Sequence, residues 1–337
     1  MNDHRSQRVL KDTTFIDLFS GIGGFRYALA ALGAECIFSS EIDPKAREAY
    51  RQNYGDLPNG DILKIPSGSI PPMDVICAGF PCQPWSISGR GEGLKDPRGK
   101  LFHAITRIAR HHKPKLLFLE NSPRIVTHAG GESWKKIKGH LGKAGYNTSA
   151  YILNASDFGQ VQSRKRVYII CIRKDLEDKI ISREPQKYCE SSKVQYLENV
   201  LEKTVSKDLW IDLEKYKPTW NGTKEENRPE PIRTGTIGKG GQGERIYSPK
   251  GHAITLTTSG GGVGRKTGLY HIGEGVRRLS LTECKRVQGF PDSYCTSGGE
   301  QGKAEIGNSV IPGMVSTVLD TIGPLNKEEA PPLLKIS

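Results

Sequence analysis

The sequence has no apolar run approaching the ~18–20 residues that a membrane-spanning helix requires. Its polar opening, MNDHRSQRVLKDTT, contains no apolar signal region, so a cytoplasmic location is expected. CxxC pairs are also absent. The seven cysteines, at 36, 77, 82, 171, 189, 284 and 295, are scattered and odd in number. In a reducing compartment that pattern predicts free thiols, without a disulfide framework or a zinc site. Internal repeats are missing. Negative charge is in short supply: 37 Asp and Glu face 49 Lys and Arg, a formal net charge of +12. Such an excess suits a polyanionic partner, most simply nucleic acid, although a merely basic soluble protein would share it.

What is present begins with an alternation. The 337 residues suffice for one large domain with a substantial insertion, or for two domains. Strand-like runs at Phe15–Phe19, Glu35–Glu41, Asp74–Phe80, Lys115–Asn121 and Arg166–Arg173 are separated by helix-like segments. These helices are predicted over Phe25–Leu32 with a stop at Gly33, from Asp43-Pro44 to about Gly55, over Leu101–His111 and over Ser133–Ala144. Repeated β-α-β with apolar strands predicts an α/β fold: a mostly parallel sheet with helices on both faces. After about residue 180 the character changes. Ten of the thirty residues from Gly235 to Gly264 are glycine, and Arg233–Arg277 holds seven Lys or Arg against two Glu. Strand-like Arg245–Tyr247 and Ala253–Thr257 interrupt the glycines, which predicts a small loop-rich β domain rather than a linker. Helical patterning returns over Ser280–Gly289 and Ser309–Ile322.

The loop after the first strand, FSGIGG, carries the glycines expected where backbone approaches a ligand at a helix N-terminus. It lacks the third glycine of the dinucleotide fingerprint, because position 26 is arginine. Glu41, at the end of the second strand, stands where an acid takes ribose hydroxyls. Asp61, read as the end of a third βα unit, is placed to accept from an adenine amino group. Each acid alone is an ordinary loop residue or helix cap; together with the loop they describe a site for an adenosine-containing cofactor. Cys82 lies in GFPCQPWS, between Pro81 and Pro84 at a strand end. A buried structural thiol needs no such frame, whereas a nucleophile must be held at a fixed angle. Glu120 ends the next strand and can serve as acid or hydrogen-bond partner. In QSRKR, Arg164 and Arg166 offer guanidinium groups for an anion or a base oxygen.

The ordered series DLFSGIGG, Glu41, Asp61, GFPCQPWS, LEN, QSRKR, RRLSLTECKRVQGFP and GNSV resembles the bacterial DNA (cytosine-5)-methyltransferases of the type II restriction–modification kind, over nearly the whole chain. The resemblance implies a Rossmann-like S-adenosylmethionine-dependent methyltransferase fold with a target-recognition domain set in before the last motif. It divides the chain into a catalytic domain, 1–185, a recognition domain and hinge, 186–304, and a returning helix, 305–337. The product of the cofactor would be S-adenosylhomocysteine. Cys82 would add to cytosine C6, Glu120 would contact N3 and the exocyclic amine, and Arg166 would bind the O2 edge with Arg164 close by. The cytosine must be flipped out of the duplex for this chemistry. Phe19, Gly21, Gly23, Glu41, Ile42, Asp61, Ile62, Pro81, Leu101, Asn308 and Ser309 would bind the cofactor. Ser86, Ser88 and Arg90, in the glycine-rich basic segment after Cys82, would close on DNA. Gln242 and Arg245 are the expected base readers, supported by Thr255 and by Gly260 and Gly261; these segments resemble those of the GCGC-methylating subgroup. The implied partners are double-stranded DNA and, functionally, a restriction endonuclease, with the enzyme a monomer.

One departure stands out: Ser122 follows Glu120-Asn121 where the family usually has valine. A nicotinamide dehydrogenase would share the sheet but want the third glycine and have no use for Cys82 and Glu120. A DNA-binding module without activity would need no thiol, carboxylate and arginines together. An RNA cytosine-5 methyltransferase shares the catalytic frame, but the roughly hundred residues before 278 resemble a DNA-recognition domain.

Overall fold

The computed structural model describes residues 10–81, 100–180, 182–187, 195–223, 226–322 and 325. Its larger sheet contains Thr14–Leu18 (β1), Glu35–Ser40 (β2), Val75–Gly79 (β3), Leu116–Asn121 (β4), Tyr146–Asn154 (β5) and Lys165–Arg173 (β6), in the order β2-β1-β3-β4-β6-β5. β2, β1, β3 and β4 pair in parallel, and β6 runs against both its neighbours. Pleating divides each central strand between two core layers. Phe15, Cys77, Phe118 and Ile170 enter one layer; Ile16, Ile76, Leu117 and Ile169 enter the other. This two-sided burial explains why these strands read as continuous apolar runs.

Helices cover both faces. Gly24–Ala31 (α1) closes the first layer with Phe25, Ala28 and Leu29. Lys100–His112 (α3) and Glu132–Lys143 (α4) close the second, through Phe102, Ile105 and Ile108 and through Ile137 and Leu141. Pro44–Tyr54 (α2) is set by local chemistry: Asp43 accepts from the Lys45 and Ala46 N–H groups at 2.8 and 3.4 Å, proline occupies the first turn, and Gly55 ends it at φ 85°. No third βα unit ends at Asp61, which corrects the sequence expectation. Asp61 instead caps a short turn over Ile62–Lys64, accepting from Leu63 N–H at 3.0 Å, and a lone bridge between Ser40 and Asn59 joins this stretch to β2.

The smaller sheet has the order β11-β10-β9-β8-β7, from Thr219–Trp220 (β7), Ile232–Thr236 (β8), Arg245–Ser248 (β9), Leu269–Ile272 (β10) and Gly275–Arg277 (β11). Leu281–Gln288 (α5) follows, its start fixed by reciprocal bonds between Ser280 and Glu283. Gly299–Asn308 (α6) was not anticipated from sequence. A third core joins Ile22, Ala46 and Ala49 of the large-sheet lobe to Tyr247, Leu256, Tyr270, Cys284, Phe290, Tyr294 and Ile306. Pro312–Leu319 (α7) then returns to the first layer, burying Met314, Val315 and Val318 beside α1. Beneath α5, Arg277 and Glu283 form a bidentate pair at 2.7 Å, with side chains 2% and 0% exposed. Among the described residues no helix is long and apolar enough to cross a membrane.

Candidate active site

At the carboxyl ends of β1 to β4 lies a cavity of about 570 Å³, where open α/β sheets collect ligands. One end is shaped by the turn after β1. Phe19, Gly21 and Gly23 have φ of 57°, 54° and 95°, so three left-handed residues fall within five positions. A non-glycine residue held there stores strain, which concentrates at functional sites. The turn lets Ser20 N–H donate to Ser40 O at 3.0 Å, stitching β1 to the end of β2. Glu41 is fixed there by three amides: Oε2 accepts from Gly21 N–H at 2.8 Å, and Oε1 from Ile42 and Asp43 N–H at 2.8 and 2.9 Å. The Ile42 side chain, by contrast, is 71% exposed at the rim. A carboxylate held rigidly beside an uncovered apolar surface, in a cavity that Asp61 and Ile62 also line, fits an adenosine group.

Phe19, Gly21, Glu41, Ile42, Asp61, Ile62, Pro81, Leu101, Asn308 and Ser309 all line this cavity. Gly23 lines neither this cavity nor the second cavity described below. Its place is against an aromatic wall, where an added Cβ would come 2.4 Å from Tyr54 Cε2. The Tyr54 hydroxyl donates to Gly23 O at 2.8 Å, and the Tyr294 hydroxyl donates to Ile22 O at 2.6 Å. Thr257, Thr258, Gln301 and Glu305 also line the cavity and escaped the sequence reading. Two of them sit on α6, whose glycines hide it from pattern reading.

The other end holds the charged groups. Glu120, at the end of β4, pairs with Arg166 of β6 at 3.0 Å, the side chains being 11% and 22% exposed. β4 and β6 run side by side, which brings residues far apart in sequence into this contact. Asn121 is buried and donates from Nδ2 to Phe80 O at 2.9 Å, while its Oδ1 accepts from Ser122 N–H at 2.8 Å. It thereby fixes the chain just ahead of Pro81. Ser122 itself lines the cavity. Cys82, Ser86, Ser88 and Arg90 lie outside the described residues.

Arg164, grouped above with the catalytic residues, commits Nη1 to Leu256 O at 3.1 Å and Nη2 to Gly307 O and Ser309 O at 2.9 and 3.2 Å. It holds main chain in place, whereas Arg166 pairs with Glu120. Burial pushes the Cys36 thiol up to about 12, with the nearby Asp17 carboxyl adding to the shift. Burial likewise raises Cys77, Cys171 and Cys284. Cys77, Cys171 and Cys284 are also buried, an environment that suits structural thiols rather than nucleophiles. Asp17 itself, fully buried under the β1 turn, is raised by burial against the opposing pull of Arg26.

Gln242, Arg245 and Thr255 converge on a second cavity of about 300 Å³, together with Ser163 and Tyr247. Thr255 donates to Ser163 O at 2.7 Å, which ties this cavity to the QSRKR turn. Gly260 does not enter it: a Cβ there would fall 1.7 Å from Arg265 O. The O of Gly261 lies 1.8 Å from where a Cβ on Gly243 would stand. These glycines allow backbone to pack on backbone.

The profile of the C-5 cytosine-specific DNA methylases matches residues 13–324. The chain is 42% identical to the type II methyltransferase M.HhaI of Haemophilus parahaemolyticus over 310 residues, covering 92% of this chain and 94% of that one. It is 37% identical to the type II methyltransferase M.HpaII of Haemophilus parainfluenzae, covering 93% and 90%. Among solved structures, a methyltransferase of Entamoeba histolytica superposes with a TM-score of 0.71 at 21% identity, covering 92% and 97% of the two chains. The Dnmt2 methyltransferase of S. pombe gives a TM-score of 0.66 at 20% identity, covering 91% and 97%. The fold and the match along nearly the whole sequence lead to one conclusion: the chain belongs to the C-5 cytosine-specific DNA methylase family, whose members use S-adenosylmethionine.

Proposed function

We propose that the protein methylates C5 of the inner cytosine of GCGC in double-stranded DNA, and thereby protects DNA within a restriction–modification system. The observation that carries the chemistry is the Glu120–Arg166 pair at one end of a cavity whose other end is closed by the amide-held Glu41. Cytosine C5 is a poor nucleophile. Cys82 as thiolate adds to C6 of the flipped base and makes C5 electron-rich. Glu120 holds N3 and the exocyclic amine and stabilises the protonated ring. Arg166 steadies both Glu120 and the O2 edge. S-adenosylmethionine, bound along Phe19, Glu41, Ile42 and Asp61, supplies the methyl group. Loss of the C5 proton then expels Cys82 and restores the aromatic base. Extruding the base costs a few kcal/mol, which contacts from Ser86, Ser88 and Arg90 would offset.

Gln242 and Arg245 are the base readers in this scheme, and their convergence with Thr255 on one concavity supports it. The division into 1–185, 186–304 and 305–337 serves that mechanism: the middle part reads DNA while the outer parts hold base and cofactor. A monomer acting on one strand at a time suffices, in the cytoplasm at the nucleoid, with a restriction endonuclease as functional rather than physical partner. Bisulfite sequencing of a plasmid library treated with the purified protein and S-adenosylmethionine, beside Cys82→Ser, tests this. Protection confined to GCGC and lost in the variant is expected. Protection at another motif would discard the target, and normal turnover by Cys82→Ser would discard the mechanism. RNA methylation without DNA methylation would replace the substrate.

A further inference from the structure

The turn before β6 presents Gln162, Arg164 and Arg166 at alternate positions of an extended chain. Arg166 pairs with Glu120. The other two are 0% and 3% exposed and belong to a closed ring of buried hydrogen bonds. Gln162 Oε1 accepts from Leu256 N–H at 3.3 Å, and its Nε2 donates to Gln288 Oε1 at 2.9 Å. Gln288, fully buried at the end of α5, donates in turn to Ser309 O at 2.6 Å. Arg164 closes the ring by donating to Ser309 O and to Leu256 O. Four separate stretches therefore meet at one point: the β6 turn, the segment after β9, the end of α5 and the chain leading into α7.

Both backbone polar groups of Leu256 are held by this ring, and the adjacent Thr255 lines the recognition cavity. Arg166 lies two residues beyond Arg164, about 7 Å of extended chain. Gly307 and Ser309, also gripped by Arg164, line the large cavity. Buried amides are costly to leave unpaired, so the ring is a rigid link with one low-energy arrangement. We infer that Gln162, Arg164 and Gln288 are positioning residues, a latch that fixes the recognition segment relative to the Glu120–Arg166 pair and so couples correct base reading to methyl transfer. This rests on the function proposed above, and none of the three touches the reacting atoms in it.

The test uses the full chain and the target site found for the wild type. Gln162→Met, Gln288→Met and the double variant keep side-chain volume and remove the amide pair. Three quantities are compared: S-adenosylhomocysteine affinity without DNA, the unfolding midpoint, and the ratio of kcat/KM on the target duplex to that on a duplex with one base pair changed. Each single variant should keep cofactor-product affinity within about 3-fold and lose about 10-fold or more of the discrimination ratio. The double variant should lose less than the product of the two single losses, because both remove the shared Gln162–Gln288 bond, while each also removes one of its own, to Leu256 N–H or to Ser309 O. Discrimination within about 2-fold of wild type in the folded single variants overturns the latch, as do losses that multiply in the double. Should the methionine variants lose their unfolding transition, Gln162→Glu and Gln288→Glu, which keep shape and remove a donor, decide it by the same ratio. A wild type that methylates no DNA would instead refute the function itself.

Discussion

Glu120→Gln alters the site while nearly preserving its shape. In the structure, Glu120 Oε1 lies 3.0 Å from Arg166 Nε, with side-chain exposures of 11% and 22%. Hydrogen bonds involving a charged group contribute about 1.5–3 kcal/mol, and the residual exposure of Arg166 places this one at the lower end through solvent screening. In the proposed mechanism the carboxylate is also the proton partner of the base, and its loss is the larger effect, about 10²–10⁴-fold in rate, or roughly 3–5 kcal/mol of barrier. Single-turnover transfer of labelled methyl groups should therefore slow by at least about 100-fold. Affinity for S-adenosylhomocysteine, measured by calorimetry, should stay within about 2-fold, because Glu41 and its three amide donors are untouched. A turnover rate within about 3-fold of wild type would remove Glu120 from the chemistry.

Gly23→Ala should weaken S-adenosylhomocysteine binding by about 10-fold, since a Cβ at φ 95° meets the Tyr54 ring at 2.4 Å and must distort the cofactor turn; unchanged calorimetric affinity would contradict this. Glu283→Gln should lower the unfolding midpoint by leaving the 2% exposed Arg277 without its counter-charge, at a cost of about 3–5 kcal/mol. Replacing both Arg277 and Glu283 by methionine should recover much of the loss, and a double variant as weak as Glu283→Gln would refute the assignment. Asp17 is raised by burial, so the folded state keeps its proton at a pH where the unfolded chain has released it. The Asp17 contribution to stability is therefore fully present below about pH 4 and is lost as pH rises above that. The midpoint of Asp17→Asn relative to wild type should climb over that range, and a gap that narrows would be the wrong sign.

Much of the catalytic lobe was legible because its physics is local. β1, β3, β4 and β6 are short apolar runs, and the Asp43-Pro44 start and Gly55 stop of α2 follow from capping alone. Direction was not legible: nothing in the run of β6 says that it lies antiparallel to β4, since an apolar strand reads the same either way. β5 escaped notice because it is an edge strand, half-buried for most of its length and rich in Asn, Thr and Ser. α6 escaped because Gly302 and Gly307 serve close packing, against Thr296 and Leu281 and against Thr257. Ten of the eleven residues expected at the cofactor line one cavity; Gly23 does not, because it is packed against Tyr54 thirty-one positions away. Arg164 could not be told from Arg166 by type or spacing; their partners lie in different segments, and only the fold reveals them.

The position of α7 has a consequence for synthesis. β6 ends at Arg173, but the helix that seals the same core layer is not complete until Leu319. At about 5–20 residues per second, the intervening 146 residues (319 − 173) leave that layer covered by α1 but without α7 on the ribosome for roughly 7–30 s. During that interval Phe15, Phe118 and Ile170 lack the Met314, Val315 and Val318 that will cover them. The nascent chain is thus obliged to finish its smaller sheet before this layer of the larger one receives its last helix, so a ribosome that stalls in between leaves part of that apolar layer exposed.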